Sequence, residues 1–223
     1  MVDFDPDITE IIFFDIEWYV PPDQRKLKGA SLAMNPNKPG QFLLGGVFGK
    51  FRPLKQRKGD IKYDHFWLWK EEDEETVVKK IYDYVKTEWR NFDDTSDRQA
   101  DLILCGQGIS RLDVPVLYIR SMDYKVDKPE EVFYTFCKTK QVDLSNVAIP
   151  LIYGDVMYPS NWNQISGRFR FNRRKESGKS VWDYYDQEAF STIEDRTEKE
   201  VRDCVDLYDF IQRSFMTRKN RRR

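Results

Sequence analysis

The stretch IIFFDIEWYV, residues 11 to 20, sets two carboxylates, Asp15 and Glu17, inside an apolar and aromatic run. Such a run predicts a buried strand, and along a strand alternate side chains emerge on the same face. The two acids therefore stand side by side. Burying adjacent like charges is costly unless something pairs with them. No Lys or Arg lies within the run. Three arrangements remain: basic partners brought from distant parts of the chain, exposure at a sheet edge, or bound cations.

The rest of the chain supplies alternating elements around that strand. QFLLGGVFGKF and DHFWLW read as two further strands in an antiparallel meander, after a Pro-, Lys-, Asn- and Gly-rich loop over 21–40. EEDEETVVKKIYDYVKTEW predicts a helix: Val77, Ile81, Tyr84 and Val85 recur at helical spacing, and the acids crowd its N-terminal end, where they suit the helix dipole. ADLILCGQG follows as a short strand, and LDVPVLYIRSM as a helix with Pro115 in its first turn. QVDLSNVAIPLI reads as a strand end or a short helix, and TEKEVRDCVDLYDFIQRSFM as a closing helix. Strands first, then alternating helix and strand, argue for an α/β fold with a mixed sheet flanked by helices. With 223 residues, 40% hydrophobic and 15% aromatic, one domain over 1–216 can bury a sizeable core. The tail 217–223 is expected to be a disordered basic arm.

Several function classes recede on composition. No apolar run reaches the roughly 18 residues of a membrane span, and no leader pattern opens the chain, so the expectation is a soluble, cytoplasmic protein with no membrane partner. Three cysteines, Cys105, Cys137 and Cys204, have no metal-like spacing and are expected as reduced thiols. The single histidine, His65, excludes a two-histidine zinc site, and in YDHFWLW it reads as a packed or surface residue. Net charge is −1, but six basic residues and one acid lie between Ser166 and Ser180, and the tail TRKNRRR adds five basic residues. Local patches of this kind matter more than the sum when the partner is a phosphate backbone.

A second acid falls in GQGISRLDVPVL, residues 106 to 117. Glycines punctuate the end of a strand, and Asp113 sits two residues ahead of the proline that opens a helix. That places a carboxylate near the C-terminal end of a central strand, where α/β sheets bind ligands. GQG lacks the remaining glycine and the Lys-Ser/Thr of a phosphate loop.

FFDIEW followed by GQGISRLDVPVL resembles the first two motifs of the DEDD family of 3′–5′ exonucleases, in particular the proofreading domains of family B DNA polymerases and their stand-alone kin. The second motif there is GxNxxxFDxPxL-like. This chain keeps Gly106, Asp113, Pro115 and Leu117, and has Gly108 at the Asn position and Leu112 at the Phe position. The likeness covers about residues 9 to 210 and implies a ribonuclease H-like fold. The family's third motif is Tyr-xxx-Asp or His-xxx-Asp on a late helix. EVRDCVDLYDF offers Asp203, Asp206 and Asp209, preceded four residues earlier by Lys199, Arg202 and Val205, so Tyr or His is missing. Asp206, followed by Leu207, fits the pattern best. Against it stands a plainer reading: Arg202, Asp206, Asp209 and Arg213 share one helix face opposite Val201, Val205, Tyr208 and Phe215, as in a solvated stripe.

The resemblance implies that Asp15, Glu17, Asp113 and Asp206 are catalytic and hold two Mg²⁺ or Mn²⁺ ions, which would neutralise the paired acids. It implies hydrolysis of single-stranded DNA from the 3′ end to 5′-mononucleotides, with RNA as an alternative substrate. Arg202 cannot serve as a base; it could contact a phosphate oxygen, while Tyr184, Tyr185 or Tyr208 could reach in from another register. In RFRFNRRK, if extended, Arg168 and Arg170 face one way and Phe169 and Phe171 the other, which suits phosphate contact and base stacking on a single strand. Arg173 and Arg174 extend that basic face. A catalytically weak or inactive nucleic-acid-binding scaffold of the same fold is the alternative from a different class.

Overall fold

The computed structural model describes residues 9–26, 33–93, 102–152, 161–169 and 175–220. Five strands form one sheet: β1 (Glu10–Tyr19), β2 (Phe42–Phe51), β3 (Tyr63–Trp67), β4 (Leu102–Gly106) and β5 (Lys140–Asp143). Their order is β3-β2-β1-β4-β5, so the apolar strand that carries Asp15 and Glu17 is the central one. Edge exposure is thereby excluded for the acid pair. β1 runs antiparallel to β2 and parallel to β4; β2–β3 is antiparallel and β4–β5 parallel. The sheet is mixed and flanked by helices, which makes the chain an α/β protein.

Seven α-helices accompany the sheet among the described residues: α1 (Glu74–Asp93), α2 (Asp113–Asp123), α3 (Pro129–Phe133), α4 (Leu144–Ile152), α5 (Trp162–Phe169), α6 (Ser180–Asp186) and α7 (Phe190–Asn220). QVDLSNVAIPLI contains both elements weighed for it: β5 ends at Asp143 and α4 starts at Leu144. α7 continues through residues 217–220, the first part of the basic tail. The acids ahead of α1 are structural. Asp73 accepts the Thr76 N–H at 2.8 Å, and Glu74 is buried against the Leu43 N–H (2.7 Å) and Arg120 Nε (2.8 Å).

Because β1 is covered on both faces, its alternation sorts two cores. Ile12, Phe14, Ile16 and Trp18 pack with Val77, Ile81 and Val85 of α1 and with Leu117 of α2. Ile11 and Phe13 point the other way, toward Val201, Cys204, Val205 and Ile211 of α7 and Ile165 of α5. Burying such side chains contributes roughly 1.5–3 kcal/mol each relative to exposure. Asp15 and Glu17 continue the second row. Two carboxylates thus project into the layer of the long C-terminal helix.

Candidate carboxylate site

β4 pairs with β1 only over Glu10–Phe13, so the acid-bearing end of β1 runs on past its neighbour. There the Ile16 N–H, without a strand partner on that side, donates to Asp113 Oδ1 at 3.2 Å. Asp113 is the first residue of α2 and is buried. The turn that delivers it needs its glycines. A Cβ on Gly106 would lie 2.5 Å from Ile109 Cγ2 and 2.6 Å from the Phe14 carbonyl oxygen, and Gly108 has φ of +79°, a left-handed conformation that suits glycine. Asp143, at the end of β5, holds the same turn by accepting from the Gly108 N–H (2.9 Å) and the Ser110 hydroxyl (2.6 Å).

The long helix supplies the third wall. Thr197 Oγ1 donates to Glu17 Oε1 at 3.0 Å, and three turns further on Tyr208 meets Phe13 edge-to-face at 5.5 Å. α7 therefore runs along the second row of β1, with Thr197 at the level of Glu17. Glu200, one turn on from Thr197, joins the acids. Carboxylate oxygens of Asp15, Glu17 and Glu200 all lie within 4.8 Å of one another.

Two cations from far along the chain answer the charge. Lys175 Nζ lies 2.8 Å from Glu200 Oε2, and Arg196 Nε lies 3.0 Å from Glu200 Oε1. They do not neutralise the group. Burial pushes the Glu17 carboxyl up to about 7, against the pull of Arg196, and Glu200 raises it further. Asp113 is pushed up to about 6, chiefly by burial, while the Ile16 N–H lowers it. Asp15 is raised well above its ordinary value by burial first, with Lys175 opposing and the Glu200, Asp113 and Glu17 charges adding to the rise. Glu200 goes the other way: burial would raise it, but Lys175 and Arg196 outweigh burial, and the Asp15 carboxyl hydrogen-bonds to it. Burial and mutual repulsion thus oppose full ionisation of Asp15, Glu17 and Asp113, a strain that a cation would relieve.

Three of the sequence candidates, Asp15, Glu17 and Asp113, come together here. The late acids lie elsewhere. Asp206 and Asp209 bond to Lys58 Nζ at 3.0 and 2.8 Å, outside the three-carboxylate group. Asp203 is buried and lines a cleft with Lys58, Tyr63 and Arg202. Arg202 pairs with Glu198 one turn earlier (2.8 Å) and lies 4.2 Å above the Tyr63 ring; Arg213 pairs with Asp209. This is the solvated stripe weighed against the metal reading. Its physical cause is angular: Asp206 sits about 120° around the helix from Glu200, at 100° per residue. Glu200, Lys175 and Arg196 were not singled out as site residues from the sequence.

Arg168 is exposed near the end of α5, and Phe169 is helical and packs on Phe210 at 5.1 Å, so the start of RFRFNRRK is not extended. Arg170, Phe171, Arg173 and Arg174 lie outside the described residues. Of the three tyrosines considered, Tyr208 packs on Phe13 and Tyr185 on Tyr19, whereas Tyr184 lines a cleft of about 350 Å³ beside the acids, with Lys175, Arg196, Lys199 and Glu200. The Tyr184 hydroxyl donates to Glu176 at 3.0 Å. His65 lies apart, bonded to Glu198 at 3.0 Å. None of the three cysteines forms a disulfide. No helix among the described residues is long and apolar enough to cross a membrane.

Fold and site together define an α/β protein with a buried carboxylate group on the central strand of its sheet. Comparison with protein-family models and with curated proteins gave no match.

Proposed function

We propose that this protein is a divalent-cation-dependent 3′–5′ exonuclease with a ribonuclease H-like fold, releasing 5′-mononucleotides from single-stranded DNA. The observation that carries the reading is the meeting of Asp15 and Glu17 with Glu200, while Asp113 is bonded to the backbone between the first two. The mixed five-strand sheet flanked by helices is compatible with that fold.

The donor set suits a hard cation. Asp15, Glu17 and Glu200 offer only carboxylate oxygens, and burial pushes the Asp15 and Glu17 carboxyls upward, a cost that a bound cation would offset. Asp15, Glu17 and Glu200 would hold Mg²⁺ or Mn²⁺, with Asp113 alongside. A divalent ion bound there lowers the pKa of a water and offsets charge on the phosphate. The chain's own residues do the rest. Thr197 holds the Glu17 carboxylate in place, and Asp113 fixes the backbone of the strand between the acids. Arg196 stands four residues before Glu200, the spacing at which the related exonucleases carry Tyr or His. A guanidinium cannot accept a proton, so its work there is to hold phosphate oxygen; its Nη1 is buried without a hydrogen-bond partner. Lys199 and Arg202 border the continuing clefts along α7, where a sugar–phosphate strand could run, with Arg168 exposed on α5.

A second reading has its own observation. Both oxygens of Glu200 are already engaged by cations of the same chain, which favours a nucleic-acid-binding scaffold with little or no turnover. The two separate in one assay. A 5′-labelled single strand, DNA or RNA in parallel, is incubated with Mn²⁺ or Mg²⁺. Laddering from the 3′ end, abolished by Asp15→Ala and by Asp113→Ala, is the expected outcome; metal-indifferent binding without cleavage supports the scaffold.

A further inference from the structure

Lys175 is the charged side chain that the exonuclease reading leaves unused. It comes from the segment just ahead of α6 and is only 15% exposed, with Nζ 2.8 Å from Glu200 Oε2 and the Trp162 ring 5.3 Å away. Arg196, at 12% exposure, holds the other Glu200 oxygen at 3.0 Å. Burying an ammonium or a guanidinium is costly unless fixed negative charge compensates it, so these cations belong to the acid group rather than to the surface.

Their charge decides how much more the site can take. Among the described residues, the carboxylates of Asp15, Glu17, Asp113 and Glu200 face the ammonium of Lys175 and the guanidinium of Arg196, while Asp143, behind Asp113, is taken up by the N–H groups of Gly108 and Ser110. With those four acids ionised, two negative charges of this set remain, the complement of a single divalent ion. A second divalent ion would leave a buried positive excess, and it would have to displace or crowd the ammonium on Glu200. Four carboxylates without such partners balance two divalent ions; these four do not.

We propose that Lys175 and Arg196 together replace the second cation, so that the site takes one divalent ion, Mg²⁺ or Mn²⁺, through Asp15 and Glu17. This rests on the metal-dependent reading above, and it changes the stoichiometry from two ions to one. The Lys175 ammonium is a tethered counter-ion: it cannot diffuse away and it neutralises Glu200 before any metal arrives.

The test is Mn²⁺ binding to the full chain, counted by equilibrium titration and examined by electron paramagnetic resonance, with no turnover required. The wild type is expected to bind one Mn²⁺ with the hyperfine sextet of an isolated ion. The double variant Lys175→Met/Arg196→Met, two positive charges poorer, is expected to bind two, with the broadened spectrum of a coupled pair, while Lys175→Arg stays at one. Two ions in the wild type, both lost in Asp15→Ala, would overturn the proposal and leave the metal-dependent reading standing. A second ion absent from the folded double variant would overturn it as well. No bound Mn²⁺ in the wild type would remove the metal-dependent reading itself, and this inference with it. Should the double variant fail to fold by circular dichroism, the wild-type count decides the matter: one ion keeps the proposal and two overturn it.

Discussion

The backbone N–H of Ile16 donates to Oδ1 of Asp113 at 3.2 Å, joining positions 97 residues apart. Ile16 is the residue between Asp15 and Glu17, so this bond fixes the helix that carries one acid against the strand that carries the other two. On the proposed reading, Asp113 has a charge role beside this structural one, and substitution can separate the two. Asp113→Asn keeps an acceptor of the same shape and removes the charge; it is expected to fold with near-normal stability, to bind Mn²⁺ more weakly and to lose cleavage. Asp113→Ala leaves a buried N–H unpaired and is expected to cost a further 1–3 kcal/mol or so in urea unfolding. Equal stability of the two variants would contradict this division.

Glu200, not Asp206, is the acid of α7 that belongs to the site. Glu200→Gln is therefore expected to abolish cleavage of a labelled single strand. Asp206→Asn loosens a half-exposed pair with Lys58, which Asp209 still holds, and such pairs contribute about 0–1 kcal/mol. That variant is expected to keep most of the cleavage activity and its thermal midpoint. Reversal of the two results would return the site to the later turn of the helix.

Much of this was legible before the structure. The acid-bearing strand, the helix begun by Asp113 and the closing helix all stand where periodicity and proline placed them, because each is a local pattern. The turn of α7 that faces the acids was not, since it depends on how far the helix slides along β1. A signal existed nonetheless. Val201, Val205 and Tyr208 mark the sheet-facing side, and following that side back by one turn reaches Thr197 and Glu200. Lys175 was harder to see. In the sequence it belongs to a basic run that reads as a phosphate-binding face, and only the chain's return past Trp162 carries its ammonium onto Glu200. The opening question about Asp15 and Glu17 thus has part of its answer in distant basic residues.

The acids also make stability depend on pH, with a sign opposite to that of most carboxylates. Glu17 titrates near 7 in the folded protein against an ordinary 4.5, and Asp113 near 6 against 3.8. Between those values the folded state binds more protons than the unfolded one, so stability falls as pH rises. Without divalent cation, the unfolding free energy from urea titration is expected to drop between about pH 5 and pH 7.5, by an amount on the order of 2–3 kcal/mol from Glu17 alone. Glu17→Gln is expected to flatten that slope, and Mn²⁺ to offset it at the upper end, since metal and protons compete for the same oxygens. A midpoint that rises over this range would show the carboxyls to be ionised and paired throughout.

The glycine of the second motif makes a steric prediction. Gly106→Ala brings a Cβ to 2.6 Å from the Phe14 carbonyl oxygen, where backbone must move. Overpacking of this kind costs about 1–3 kcal/mol. Because the same turn leads to Asp113, cleavage is expected to fall even under conditions where the variant remains folded by circular dichroism. Gly59→Ala, with open space around its Cβ, is the control for stability and is expected to leave the unfolding midpoint unchanged.

The central claim is tested most directly by anomalous diffraction from a crystal soaked in Mn²⁺. The account expects a peak within coordinating distance of Asp15 and Glu17, beside Glu200, with the Lys175 ammonium still on the Glu200 carboxylate. Density for manganese only at surface carboxylates, with Asp15 and Glu17 bare or Asp113 turned away from Ile16, would contradict it.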